Sequence, residues 1–244
     1  MNKEFSEIVR ALRYALLPRR CAFCGKVVEP QTPYCAVCAE AVHRVTAPIC
    51  YRCARSAEDC DCPKHRNRFA AAFAAPFYYD GIVRESIRRF KFCHELDNGE
   101  VLGEEMGRFA KRVYREVHID FVTHVPMTET QLRKRGYNQS ELLARCAAQT
   151  LLLPHRAVLT KLYETEHQRT LSERRRSGNV LGVFDVSEPS LVYGKRILLC
   201  DDICTTGATL TECAKMLMIY GAREVLCLTA AVGLPNPNGK DKAI

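Results

Sequence analysis

Two carboxylates, Asp201 and Asp202, stand side by side directly after the apolar run Ile197, Leu198, Leu199 and Cys200. Thr205, Thr206, Gly207, Ala208 and Thr209 follow, and behind them Leu210, Cys213, Ala214, Leu217 and Met218 recur at helical spacing up to Tyr220. A tight hydroxyl-glycine turn that opens a helix is an anion site. The first-turn amides have no partner within the helix, and the helix dipole favours negative charge there. Gly207 lets the backbone approach a ligand closely. The adjacent acids can hold sugar hydroxyls or a Mg2+ ion that keeps its own waters. A simple helix cap needs one or two such side chains, not this set.

A second constellation lies between residues 21 and 62. Cys21/Cys24, Cys35/Cys38 and Cys50/Cys53 are Cys-x-x-Cys knuckles, and Cys60/Cys62 is a tighter Cys-x-Cys. One knuckle presents two sulfurs to a tetrahedral ion and a second completes the shell. The segment has few aliphatics, and Pro30, Pro33, Pro48 and Pro63 interrupt it. So short a stretch with so little apolar mass needs a staple, and one or two structural Zn2+ ions are expected. The pairing stays open. Sequential sites would join Cys21/Cys24 to Cys35/Cys38 and Cys50/Cys53 to Cys60/Cys62. Interleaved sites would join Cys21/Cys24 to Cys50/Cys53 and Cys35/Cys38 to Cys60/Cys62. His43 and His65 are alternative ligands, both read as solvent-facing.

Several cations stand out along the chain. Lys91 ends a basic stretch, and Arg133 and Arg135 precede Gly136, Tyr137, Asn138 and Gln139. Arg174 belongs to the polar stretch ETEHQRTLSERRRSGNV. The spacing predicts an edge strand at 73–79, since Pro76 lacks a donor. Helices are predicted at 82–92 and 99–117, a strand at 119–125, then a loop PMTETQLRKRGYNQS before a helix at 141–150. Strands are predicted at 157–163, 192–200 and 223–232, with a short apolar piece at 181–186. Strand and helix alternate, which argues for a parallel sheet covered by helices, with function at the carboxyl ends of the strands.

The chain has 244 residues, and 14 are cysteine. Its start carries Phe5, Ile8, Val9, Leu12 and Leu16 at helical spacing, broken by Arg10 and Arg13. This reads as an amphipathic helix packed on its own domain rather than a signal peptide. No apolar run approaches the roughly 20 residues needed to span a bilayer, and clustered thiols without an export signal point to a cytoplasmic metal protein. Eight zinc-bound thiolates on two ions would lower the formal charge of +8 to about +4. That modest basicity suits phosphate-bearing ligands and does not by itself argue for nucleic acid.

The apolar-acid-acid-x-x-Thr-Thr-Gly-Ala-Thr pattern resembles the phosphoribosyl-pyrophosphate (PRPP) motif of type I phosphoribosyltransferases. With the cysteine knuckles, Tyr79-Asp80-Gly81, Lys91-Phe92, Val125-Pro126, Arg135 to Gln139, Gln168 and Arg174 to Asn179, the chain resembles the ComF family over about residues 21–232. The resemblance implies a zinc-binding module and N-terminal helix at 1–66. A type I phosphoribosyltransferase-like α/β domain, a parallel sheet flanked by helices, would follow at 67–234, then a disordered tail at 235–244. It implies that Asp201 and Asp202 hold ribose hydroxyls with Mg2+, and that Thr205, Thr206, Gly207, Ala208 and Thr209 cradle the 5-phosphate. Residues 126–138 would hold pyrophosphate, and 168–176 would form a cover loop. Lys91, Arg133, Arg135 and Arg174 are the expected cations for the leaving diphosphate. The family association is with natural competence, hence DNA uptake and its proteins. Two readings of different class follow: a PRPP-using transferase, or a catalytically inactive accessory protein that binds single-stranded DNA, with Tyr34, Tyr51 and Phe69 available for stacking.

Overall fold

A computed structural model describes residues 18–29, 32–60, 62, 69–93, 95–162 and 183–235. The predicted N-terminal helix, His65, the stretch around Gln168 to Arg176 with Arg174, and tail residues 236–244 lie outside the described residues.

The sheet is parallel, in the order β1 (Ala72–Ala74), β7 (Glu224–Val232), β6 (Arg196–Cys204) and β3 (Phe121–His124). A further piece, β2 (Phe77–Tyr78), also pairs with β7. The expected edge strand at 73–79 is therefore split. Ala72 faces Leu226 and Phe77 faces Ala231, and the chain leaves the ladder at Ala75 and Pro76, where proline has no N–H to give. In β6, Ile197, Leu198, Leu199 and Cys200 are wholly buried, as a strand covered on both faces must be. The pairing of β6 with β7 runs on past the acids to Cys204 and Val232. The acid pair thus sits on a strand that its neighbour still holds.

Helix α1 (Ala36–Ala41) belongs to the cysteine-rich segment. Helices α2 (Gly81–Phe92) and α3 (Leu96–Val113) follow the split edge strand. In α2, Val83, Ile87 and Phe90 are buried, as the spacing predicted. Arg84 and Arg88 are exposed, but Arg89 does not lie on a solvated face: it donates to the carbonyls of Ala22 and Phe23 and pairs with Glu95. The predicted loop after β3 is in part a helix, α4 (Glu129–Arg135). Thr128 accepts from the backbone N–H of Gln131 and the Gln131 side chain accepts from that of Thr128, a capping box that nucleates the turn. Helix α5 (Gln139–Leu151) follows, with Leu143, Ala144 and Ala147 buried. It lies against α3 at close range, because Gly99, Gly103 and Gly107 present no side chain there. A Cβ on Gly103 would stand 2.5 Å from that of Cys146 and 2.9 Å from the carbonyl of Leu143.

The predicted strand at 157–163 is not a member of the parallel sheet. Its core, β4 (Leu159–Lys161), pairs antiparallel with β5 (Phe184–Val186), the short apolar piece, so two half-polar segments satisfy each other away from the main ladder. The expected lead-in from Val192 instead ends a turn of helix, α6 (Pro189–Val192), opened by a proline at its first position. Helix α7 (Ala208–Ile219) connects β6 to β7 and ends before Gly221, whose φ of +84° suits a left-handed exit.

One hydrophobic core runs through the whole described chain. Phe23, Cys38, Val42, Val45 and Ala54 of the cysteine-rich segment pack with Phe73, Phe77 and Tyr78 of the sheet edge. Phe23 meets Phe77 edge-on at 5.7 Å. Backbone bonds add to this, from Val45 N–H to the Pro76 carbonyl and from Tyr78 N–H to that of His43.

Candidate functional site

Asp201 and Asp202 lie in the carboxyl-terminal half of β6, one of the two interior strands, with neighbours that the sheet alone would not bring. The Ser140 hydroxyl, at the start of α5, donates to Asp201 Oδ1 at 2.6 Å, and the Asp202 N–H donates to the same oxygen at 2.9 Å. Lys91 Nζ, at the end of α2, lies 2.7 Å from Asp202 Oδ2, with both side chains largely buried. Burial pushes the Asp201 carboxyl up to about 7, and the charge of Asp202 adds to this. Ser140, the Asp202 amide and Lys91 work against it. Asp201 Oδ2 and Asp202 Oδ1 have no hydrogen bond or ion pair among the described residues.

The loop after the acids turns at Gly207, whose φ of +74° a Cβ would strain. Gly207 is the N-cap of α7 and offers no side-chain cap, while Thr206 Oγ1 accepts from the N–H of Ala208 at 3.3 Å. The helix start is held from outside by a hydroxyl and keeps its electropositive character.

Of the other expected cations, Arg135 lies over the Phe92 ring at 5.6 Å and donates to Gln139 Oε1 at 3.2 Å. Arg133 stands on the exposed side of α4 and pairs with Glu129 at 3.3 Å. Only Lys91 touches the acids among the described members of the set. The segment from Val125 to Ser140 is braced where it passes them. Asn138 accepts from the N–H groups of Ser140 and Glu141 and donates to the Val125 carbonyl. The Tyr137 hydroxyl donates to the Phe90 carbonyl, one residue before Lys91. The Gln139 amide nitrogen is buried with no hydrogen-bond partner among the described residues.

Sequence reasoning missed Ser140 and the His124–His155 pair. His124 ends β3, buried, with Nδ1 3.0 Å from His155 Nε2 and Nε2 4.0 Å from Glu141. Burial lowers it to about 4, with His155 and Arg145 adding to this and Glu141 opposing. No spacing rule joins residue 140 to 201 or 124 to 155. The Asn-x-Ser start of a helix after a strand end is the one local signal for Ser140.

The eight cysteines gather in two sets, Cys21/Cys24/Cys35/Cys38 and Cys50/Cys53/Cys60/Cys62, each with all four sulfurs within 4.8 Å of one another. The sequential pairing is therefore the one adopted, and the interleaved one is excluded because each Cys-x-x-Cys turn closes on the next pair along the chain. Cys24 and Cys35 sulfurs are 3.8 Å apart and those of Cys50 and Cys62 3.6 Å apart. Four sulfurs at about 2.3 Å from a tetrahedral ion would stand about 3.8 Å apart, so both sets fit Zn2+. Within each set the thiols diverge: against burial, backbone amides and neighbouring thiols hold Cys21 and Cys50 down to about 7, while burial pushes Cys24, Cys38, Cys53 and Cys62 up, so four thiolates would form together only around a cation. His43 belongs to neither set. Its Nδ1 bonds Asp80 at 2.7 Å and its ring stacks on Tyr78.

The profile of the double zinc ribbon domain family matches residues 12–67, and that of the phosphoribosyl transferase domain family matches residues 108–242. The chain is 26% identical over 204 residues to competence protein ComFC of Bacillus subtilis, covering 80% of this chain and 82% of that protein. It is 32% identical over 145 residues to competence protein F of Haemophilus influenzae, covering 57% and 63%. To the DNA utilization protein YhgH of Escherichia coli it is 26% identical, covering 85% and 88%. The acids at the end of β6 and the two four-sulfur sets fall within the two matched regions. With the parallel sheet beneath the acids and the ribbons sequentially paired, the chain belongs to the phosphoribosyl transferase domain family, as a ComF-type member carrying an N-terminal double zinc ribbon.

Proposed function

We propose that this protein binds PRPP or another phosphorylated ribose at the carboxyl end of β6, in a role tied to competence and DNA utilization, as its relatives' names suggest. The observation that carries the reading is the direct succession of Asp201 and Asp202 on an interior strand and the Thr205–Thr209 segment that turns from it into α7, with Lys91 drawn against the acids at 2.7 Å. Asp201 Oδ2 and Asp202 Oδ1 accept from the ribose hydroxyls. The amides and hydroxyls of Thr205, Thr206, Gly207, Ala208 and Thr209 hold the 5-phosphate. The hard oxygen pair also fits Mg2+, which when bound would neutralise charge on a diphosphate. Lys91 keeps the two acids from repelling each other before ligand arrives, and its ammonium faces the place where diphosphate charge would develop. Ser140 fixes the rotamer of Asp201. Arg135 and the buried Gln139 amide stand along the segment that would meet pyrophosphate.

The second reading is an accessory protein that holds single-stranded DNA without turnover, for which the relatives' names are the support. The aromatics suited to stacking have protein partners: Tyr34 accepts from Arg44, and the Tyr51 hydroxyl donates to the Val113 carbonyl. Thermal shift with PRPP and Mg2+ separates the readings. A hundredfold excess of ligand over Kd stabilises by about 2.7 kcal/mol, and Asp202→Asn abolishes this shift if the sugar site is correct. No shift with PRPP, alongside salt-sensitive oligonucleotide binding that Asp202→Asn leaves intact, would favour the accessory role.

A further inference from the structure

The phosphate turn faces the second ribbon. A cavity of about 170 Å3 opens between them, lined on one side by Arg52 and Arg55 and on the other by Thr205, Thr206 and Gly207, with Phe73 also contributing. It is smaller than the roughly 300–1,000 Å3 of pockets that take whole drug-sized ligands, so it suits one compact group. Its chemistry is one-sided. Two guanidinium residues, the hydroxyls and the start of α7 surround it, and no carboxylate lines it among the described residues. Such walls concentrate an anion.

The ribbon wall is fixed to the turn, not merely near it. Arg55 is buried, and its Nε and Nη2 donate to the carbonyls of Gly233 and Leu234 at 2.8 and 3.1 Å. The Gly233 N–H donates in turn to the Cys204 carbonyl at 2.9 Å, the last residue before Thr205. Arg55 lies two positions beyond the zinc-ligand candidate Cys53, and the Cys50 N–H donates to its carbonyl. The Cys50/Cys53 knuckle of the second ribbon therefore sets where its arginines stand relative to the turn.

We propose that the second zinc ribbon forms one wall of the phosphate subsite, so that a phosphate group is held jointly by Arg52 and the Thr205–Gly207 turn, with Arg55 as the residue that positions the wall. This rests on the sugar-phosphate reading for the identity of the full ligand, but a phosphate anion alone tests it. Inorganic phosphate is titrated into the zinc-loaded full chain while backbone amide and arginine Nε resonances are followed. The expected result is saturable shifts at Thr206, Gly207 and Arg52 Nε with one common Kd. Arg52→Gln weakens phosphate by threefold or more and Arg52→Lys recovers part of the loss, with a melting curve on each variant confirming that the fold is kept. Absence of saturable shifts at the turn, or a change of less than threefold in Arg52→Gln, overturns the proposal. Arg55→Gln gives an independent reading, because amide exchange at residues 204–207 speeds up if the wall holds the turn and stays unchanged if it does not. PRPP titrations keep the two claims apart. If phosphate binds as described but PRPP gains nothing through Asp202, the sugar reading fails and the shared wall stands. If PRPP depends on Asp202 and is indifferent to Arg52, the wall fails alone.

Discussion

Asp201 carries a carboxyl in surroundings that disfavour its charge, and this has a pH signature. Its folded-state value is raised to about 7 by burial and by Asp202, against an unfolded value near 3.9. A raised carboxyl holds its proton in the fold and loses it in the unfolded chain, so its contribution to stability falls as pH rises from about 4 to about 7. His124 acts in the opposite sense over part of that window. Lowered to about 4, it stays neutral in the fold while the unfolded chain takes up a proton below about 6.5, so stability falls on acidification there. Opposed slopes of up to about 1.4 kcal/mol per pH unit partly cancel in the native protein. Asp201→Asn keeps an acceptor for Ser140 and the Asp202 amide while removing the strained charge. We expect it to melt higher than the native protein by roughly 2–8 °C at pH 8, with the difference shrinking towards zero near pH 4 and sugar-phosphate affinity lost. A calorimetric series on both proteins checks this, and a difference that does not vary with pH would refute the assignment. The acids and Lys91 were legible from the motif and from residue type. Ser140 and the histidine pair were not, because their partners are 61 and 31 residues away in the chain.

The elements that carry these residues meet through a stripe that sequence periodicity passed over. Gly99, Gly103 and Gly107 recur every four residues in α3, and each would drive a Cβ to within 2.4–2.5 Å of a neighbouring atom. Read alone, three glycines in a helix are a propensity cost of up to about 1 kcal/mol each. Read in the fold, they let α5 lie close enough for its first turn to deliver Asn138 and Ser140 to the end of β6. Gly103→Ala gains helix propensity but meets Leu143 backbone and Cys146. Overpacking of about 1–3 kcal/mol should outweigh that gain and lower the melting temperature by roughly 2–6 °C, with a loss in ligand affinity as the first turn of α5 is pushed away from the end of β6. Equal or higher melting of Gly103→Ala would mean that the α3–α5 contact gives way freely. The same scale explains why the predicted loop before α5 is in part a helix. The part of it that is helical follows from Thr128 and Gln131, which stand at capping-box spacing. The displaced strand at 159–161 had no such signal, since membership of a parallel sheet depends on which neighbour is free, and β3 is met there only by an isolated bridge between Val122 and His155. Strand β6 and helix α7, by contrast, followed from an unbroken apolar run and a 3.6-residue stripe.

At the level of the whole molecule, the two ribbons are not equivalent, because each is fastened to a different part of the site. The first is fixed to α2. Ser86 Oγ and Arg89 donate to the Ala22 carbonyl, and Arg89 also reaches that of Phe23, along the helix that ends in Lys91. The second is fixed to the sheet edge and, by way of Gly233, to the residue before the Thr205–Gly207 turn, through Phe73 N–H to the Tyr51 carbonyl, Ser56 N–H to the Tyr78 hydroxyl and Arg55 to the end of β7. A cysteine-rich segment with few aliphatics keeps its shape only while its ions are bound, so loss of one ion should loosen one half of the site. Cys24 and Cys60 are both exposed, and replacing either with serine removes a ligand without opening a cavity. Each variant should drop from two zinc ions per chain to one. In Cys24→Ser, amide exchange should rise in α2 and the Lys91–Asp202 pair should loosen, leaving phosphate affinity near native. In Cys60→Ser, exchange should rise at 204–209, and phosphate affinity should fall several-fold while α2 stays protected. Metal analysis and hydrogen-exchange mass spectrometry read both outcomes. Indistinguishable exchange patterns in the two variants would show that the ribbons melt as one body, so that zinc stabilises the chain globally rather than setting the two sides of the ligand site independently.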